Sequence, residues 1–184
     1  MFEYEFTKRD GTQSKGRSWC GGRVRWGTLE KLKAIDSYFK NEPNHIQCVG
    51  IAADEVERLQ KERRGNKRFP LAEWGITEAE CLQGCYSLGY DWGGLYEDLD
   101  RVSCKICGMK NLKELRNIYS KMPDIWAELR DYQYRTNRPY KGEGASVFDL
   151  EVRFELEKEF EAAGKSIRNK EFFNELRARL SHNL

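Results

Sequence analysis

The run Ile46-Gln47-Cys48-Val49-Gly50-Ile51-Ala52 constrains the fold more than any other stretch of the chain. It is short, almost continuously apolar and rich in β-branched residues, as a strand covered on both faces would be, and such strands belong to parallel sheets. Helical patterns stand on either side. Before it, Leu29, Leu32, Ile35, Tyr38 and Phe39 recur at helical spacing, with Thr28 placed as the N-cap and an end near Lys40, ahead of Pro43. After it, a charged segment from Asp54 to about Arg64 reads as helix and breaks at Gly65-Asn66. Helix, strand, helix is the order of α/β proteins, so a helix-rich α/β fold with a parallel sheet is expected.

The flanking regions add elements by local signals. Phe2 to Phe6 alternates apolar and acidic residues and meets Asp10-Gly11, which predicts a short strand or hairpin arm. Thr77 with Glu80 forms a capping box, so a helix runs from about Glu78 to Leu88 and stops at Gly89. Another helix starts near Asn111, and Pro123 suits the first turn of the next, through Trp126, Leu129 and Tyr132. The stretch NRPYKGEGAS reads as a linker. Phe148, Leu150, Val152, Phe154 and Leu156 alternate as a strand would, yet Ser146 with Asp149 makes a capping box and Val152, Leu156 and Phe160 recur every four residues, so helix is the reading. A last helix spans about Asn169 to Leu180, giving a C-terminal helical pair. The expected division is a core at 1–138, a linker at 139–146 and a helical extension at 147–184.

With 184 residues, the chain is long enough to bury a real core. No apolar run approaches the ~18 residues of a spanning helix, and MFEYEFTKRD lacks the positive-then-apolar order of a signal peptide. A soluble, cytoplasmic protein is expected. The formal net charge of +2 hides local excess: residues 1–40 hold nine Lys/Arg against five Asp/Glu, and Arg58 to Arg68 holds six basic residues against one acidic. Such faces could meet phosphate or nucleic acid, though a solvated surface is the ordinary explanation.

Six cysteines, Cys20, Cys48, Cys81, Cys85, Cys104 and Cys107, are too few for a disulfide scaffold of this length, and close pairs in such a chain point to metal or redox chemistry. Cys104-Lys-Ile-Cys107 lets two thiolates reach one ion, with the turn between them offering N–H groups to sulfur. The helix beginning near Asn111 directs its positive end toward that turn, which favours thiolate. Cys81 and Cys85 lie one helical turn apart, and 18 residues separate Cys85 from Cys104. Cys20 sits in a Gly-rich turn. Cys48, inside the apolar strand, reads as core. Metal ligation is the favoured role for Cys104 and Cys107, with a redox dithiol and plain packing as alternatives. The preferred shell is Cys20, Cys85, Cys104 and Cys107, with Cys81 in reserve. Four sulfurs suit zinc or an iron-sulfur cluster. His45 and His182 are isolated, and no Ser/His/Asp or Cys/His arrangement emerges.

Several of these stretches together resemble the C-terminal part of the phosphoadenylylsulfate (PAPS) reductase family: Trp19-Cys20-Gly21-Gly22-Arg23, Gly50-Ile51-Ala52-Ala53-Asp54-Glu55, Pro70-Leu71-Ala72-Glu73-Trp74 with Thr77-Glu78, and Arg101-Val102-Ser103-Cys104 through Cys107. The similarity covers roughly residues 15–135 and implies an adenine-nucleotide α-hydrolase-like fold, here as a truncated parallel sheet flanked by helices. In the family's iron-sulfur branch a Cys-Cys pair precedes Cys-x2-Cys by some eighty residues. Cys20 precedes Cys104 by 84 positions, with Trp19 in place of one cysteine. That departure makes zinc the more attractive ion and leaves an iron-sulfur cluster as the alternative. The family's Ser-Gly-Gly-x-Asp-Ser phosphate loop and its Glu-Cys-Gly catalytic cysteine have no counterpart here. Arg23, Arg25 and Arg101 match positions that could contact an anion or a partner.

The resemblance and its departures imply a non-catalytic, zinc-containing protein that works by binding another macromolecule. Size, truncation and charge fit a phage-encoded inhibitor of a host nuclease, such as an anti-CRISPR protein binding a CRISPR nuclease. Trp92, Tyr96, Tyr132 and Tyr134 would serve as contact anchors. The alternative is a PAPS reductase-family enzyme fragment, or half of a split enzyme, acting on adenylylsulfate or a related adenine nucleotide. Direct nucleic-acid binding through the basic faces is a third reading.

Overall fold

Three short-range signals set the main helices. Thr77 accepts from the Glu80 amide while the Glu80 carboxylate accepts from the Thr77 amide, starting α4 (Glu78–Ser87). Asn111 and Glu114 do the same for α6 (Leu112–Lys121), and Ser146 and Asp149 for α8 (Val147–Ala162). Each box satisfies amides that a helix start leaves without partners. The computed structural model describes residues 3–17, 19, 26–42, 44–62, 65–136 and 138–181. The fold is helix-rich α/β, with a small parallel sheet and a C-terminal helical pair. Among the described residues no helix is long and apolar enough to cross a membrane.

The chain divides into two units, Met1–Trp26 with Glu97–Leu184, and Gly27–Tyr96. The first begins with the expected hairpin. Strands β1 (Glu3–Thr7) and β2 (Gln13–Arg17) pair antiparallel from Glu3 opposite Arg17 to Thr7 opposite Gln13. Asp10 closes its turn by accepting from the Thr12 amide and hydroxyl, and Gly11 takes a left-handed φ of 84° there.

The body of this unit is helical: α6, α7 (Pro123–Tyr134), α8 and α9 (Lys170–Ser181). The alternating apolar residues at 148–156 fold as helix because they serve two seams. Val147, Leu150 and Phe154 are buried along one stripe, with Leu115, Ile118, Trp126 and Leu129 buried on α6 and α7. Leu156 and Phe160 form a second cluster with Phe172 and Leu176 of α9. Glu157, only 1% exposed, is held by both Arg116 at 2.6 Å and Arg153 at 2.9 Å. That double pairing offsets the cost of burying its charge.

The second unit contains α1 (Trp26–Tyr38, from Gly27 on), β3 (Gln47–Cys48), α2 (Val56–Lys61), β4 (Lys67–Arg68), α3 (Pro70–Glu73) and α4. Strands β3 and β4 pair in parallel, Gln47 with Lys67 and Cys48 with Arg68, which supplies the expected parallel sheet through a strand the sequence pattern does not mark.

Three details of the sequence reading are corrected. The strand spans Gln47–Cys48 rather than 46–52; Ile46 and Cys48 are exposed, while the buried residues, Ile51 and Ala52, follow the strand. Cys48 is exposed, so it is not core. Helix α1 starts two residues before Thr28, which therefore lies in its first turn and is no N-cap. Helix α2 is shorter than 54–64 because Glu55 folds back to accept from the Ala52 amide and Glu62 is already extended.

Candidate metal centre

The loop that joins Asp100 to α6 carries Cys104 and Cys107 in the first unit. The Cys107 amide donates to the Cys104 carbonyl at 3.0 Å and the Lys110 amide to the Cys107 carbonyl at 3.2 Å, so the loop is two consecutive turns. Its limbs are cross-braced. The Arg101 guanidinium donates to the Met109 carbonyl at 3.1 Å, and the Lys110 ammonium to the Ser103 hydroxyl at 3.1 Å. Lys110 is fully buried. Glu114 is buried as well, one carboxylate oxygen accepting from the Asn111 amide and the other without a hydrogen-bond partner.

Further braces come from the segment expected as a linker. The buried Tyr140 donates its hydroxyl to the Cys107 carbonyl at 2.6 Å. The Lys141 ammonium donates to the carbonyls of Gly108 and Lys110, both at 2.8 Å. Buried Gln133 fixes this segment: its carbonyl oxygen accepts from the Tyr140 and Val147 amides, and its NH2 donates to the Thr136 and Arg138 carbonyls. A turn from Lys141 to Ala145, closed at 3.0 Å, leads into α8. On the other side, Lys105 pairs with Glu128 of α7 at 2.6 Å.

Arg101, Lys105 and Lys110 lie on this short loop, and Lys141 reaches it from the 138–141 segment. Burial pushes the Lys141 ammonium below its ordinary lysine value, and the Cys107 thiol opposes that shift. Two cysteines three residues apart in a tight turn have the spacing of a ligand pair for a soft metal.

The other expected site residues fall differently. Cys20, Arg23 and Arg25 lie outside the described residues. Trp19, the neighbour of Cys20, is buried; its indole donates to the Arg138 carbonyl at 2.9 Å, and its ring meets Tyr140 at 4.8 Å. Cys81 and Cys85 are half-buried on α4 of the second unit. Among the described residues no group of three or more His, Cys, Asp or Glu side chains is gathered around one point, so Cys104 and Cys107 stand there as a pair. Arg101 is at the loop, exposed, with one guanidinium N–H donated to the Met109 carbonyl. Of the proposed anchors, Tyr134 is 72% exposed and Trp92 40% exposed.

Sequence reasoning missed Ser103, Lys110, Tyr140 and Lys141. The one available signal was Tyr140, a lone aromatic inside a polar, Gly-rich stretch. Comparison with protein-family models, with curated proteins and with solved structures found no match to this chain.

Proposed function

We propose that the chain is a zinc-thiolate module similar to the C-terminal part of PAPS reductases, non-catalytic in itself and acting by contact with another protein. Cys104 and Cys107 supply two ligands and Cys20 a third, leaving one position for a further donor. The observation that carries this reading is the bracing of the Cys104–Cys107 turn by Arg101, Lys110, Tyr140 and Lys141, more order than two packing cysteines require. Zinc is favoured over an iron-sulfur cluster by Trp19. It stands where the resemblance would need a fourth cysteine, and its indole is committed to Arg138 and Tyr140.

A protein partner is favoured over nucleic acid because several cations of the basic runs are paired within the chain. Arg58, Lys61, Lys67 and Arg68 meet Glu55, Glu57, Glu62 and Glu73. Lys165 meets Glu171, and Arg179 meets both Glu159 and Glu175. Each paired cation has less to offer a phosphate.

Elemental analysis with an absorption spectrum tests the metal. A colourless protein with about one zinc per chain supports the reading; a brown protein with broad visible absorption replaces zinc by a cluster, and a metal-free protein with reactive thiols overturns it.

A second reading, an adenine-nucleotide enzyme of the same family, is favoured by the loop after β3. Ligands of open parallel sheets bind beyond the carboxyl ends of the strands. There Glu55 accepts from the Ala52 amide at 3.1 Å and Asp54 from the Glu78 amide at 3.0 Å, giving an ordered loop. Calorimetric titration with ATP and with adenylylsulfate decides: saturable heat supports the enzyme reading, and its absence leaves the module.

A further inference from the structure

We infer that Tyr140 and Lys141 are the positioning residues of the cysteine site, a two-point latch that fixes the backbone on which Cys104 and Cys107 present their sulfurs. The inference deepens the metal-thiolate reading and rests on it. Neither residue needs to touch the ion. Tyr140 holds the carbonyl of Cys107 itself at 2.6 Å, and Lys141 spans the next turn by holding the carbonyls of Gly108 and Lys110 at 2.8 Å each. The three carbonyls lie within four consecutive residues, so the limb after Cys107 is held at both ends of its turn. The Cys104–Cys107 turn is closed on the other side by its own 3.0 Å hydrogen bond. A ligand turn held this way enters the complex already ordered, and the entropy of ordering it is not charged to metal binding.

The latch comes from 33 and 31 residues away in sequence and is itself secured. Gln133 pins the Tyr140 amide, and the Trp19 ring packs against the Tyr140 ring. Tyr140 therefore links three separate stretches of the first unit: the Cys-x-x-Cys loop, the 138–141 segment and the residue preceding Cys20. That juxtaposition gives it a role that burial alone does not explain, because a buried phenylalanine would fill the same space without reaching the Cys107 carbonyl. Lys141 adds positive charge beside a site whose bound form carries thiolate charge, in addition to its two backbone bonds.

The test is zinc affinity of the full chain, purified reduced, in competition with a chromogenic chelator, for the native protein, Tyr140→Phe, Lys141→Met, Lys141→Arg and Cys107→Ser. Partners that orient metal ligands typically change affinity by about 10- to 100-fold when removed. Tyr140→Phe and Lys141→Met are each expected to weaken zinc binding by at least about 10-fold, with stoichiometry kept, while Lys141→Arg retains most of the affinity. Cobalt(II) spectra read ligation separately from affinity: at saturating cobalt the thiolate charge-transfer band keeps its intensity in the latch variants and falls in Cys107→Ser, which has one thiolate fewer. Native affinity in both Tyr140→Phe and Lys141→Met, with loss in Cys107→Ser, overturns the latch and leaves the metal reading standing. Absence of zinc and cobalt binding in the native protein overturns both. Melting of the metal-free chains controls for folding, and Tyr140→Phe, which keeps the ring against Trp19, remains informative if Lys141→Met is unfolded.

Discussion

The indole of Trp19 meets the ring of Tyr140 nearly edge-on, with centroids 4.8 Å apart and planes at 79°. Edge-to-face pairs of this kind contribute about 0.5–1.5 kcal/mol beyond the area they bury. The contact joins the segment after the β1–β2 hairpin to the residue whose hydroxyl holds the Cys107 carbonyl. The chain immediately before Cys20 is thereby fixed one aromatic ring away from the Cys-x-x-Cys loop.

Truncating Trp19 should therefore act twice. Trp19→Ala removes a side chain 8% exposed and is expected to cost about 3–5 kcal/mol in chemical denaturation. Trp19→Phe keeps a ring against Tyr140 but leaves the Arg138 carbonyl without its indole donor, for a loss of about 1–3 kcal/mol. In both, zinc affinity should fall with stability. A Trp19→Ala protein with native stability would show that this segment is not anchored at Tyr140.

Removing the metal should be a folding event if the cysteines hold structural zinc. Chelation, or Cys104→Ser and Cys107→Ser, is expected to lower stability by several kcal/mol, since the free energy of binding a structural ion is in part folding free energy. The measurement is thermal melting with and without chelator. Identical curves for native and serine variants, in both conditions, would exclude a structural role.

What was legible in the sequence was local. The capping boxes at Thr77 and Ser146 and the helix start at Asn111 depend on residues three apart, and all are found where the pattern places them. The α/β class with a parallel sheet was legible too, although Lys67–Arg68, the strand that pairs with β3, carries no strand pattern of its own. What was illegible depended on contacts between distant residues. An apolar run predicts a covered strand only where other elements pack on both its faces, and in this run Ile46 and Cys48 are exposed. The latch on the Cys-x-x-Cys loop joins Tyr140 to Cys107 across 33 residues, and NRPYKGEGAS reads as a linker because nothing within it reveals that its tyrosine and lysine bond elsewhere.

The same contrast sets the cost of apolar substitutions. Leu115 and Phe172 are fully buried, so Leu115→Ala should cost about 2–5 kcal/mol and Phe172→Ala about 3–5 kcal/mol. On α1 the apolar stripe of Leu32, Ile35 and Tyr38 is 49%, 41% and 79% exposed. Leu32→Ser and Ile35→Ser are therefore expected to change stability by no more than about 0.5 kcal/mol each. Denaturant midpoints of the four variants check this. A large loss at Leu32 or Ile35 would mean that the α1 stripe is covered in solution.

Tyr119 should give the chain a distinct response to alkali. Its hydroxyl donates to the Glu155 carboxylate at 2.5 Å, and its ring lies 5.0 Å from Trp126. Burial, then the hydrogen bond to Glu155 and the negative charges of Glu155 and Glu151, push the phenol from 10.0 up to about 12, with Arg130 opposing. Lys158, over the ring at 4.8 Å, is the other charge facing it. The folded chain thus holds this proton more tightly than the unfolded chain does. Stability from this group is whole below the unfolded value of 10.0 and is lost as pH rises from there through about 12. The difference in unfolding free energy between the native protein and Tyr119→Phe should be flat below pH 10.0 and shrink above it, and of the nine tyrosines this one should ionise late in phenolate absorbance. A pH-independent difference between the two proteins would remove Tyr119 from the account of alkaline unfolding.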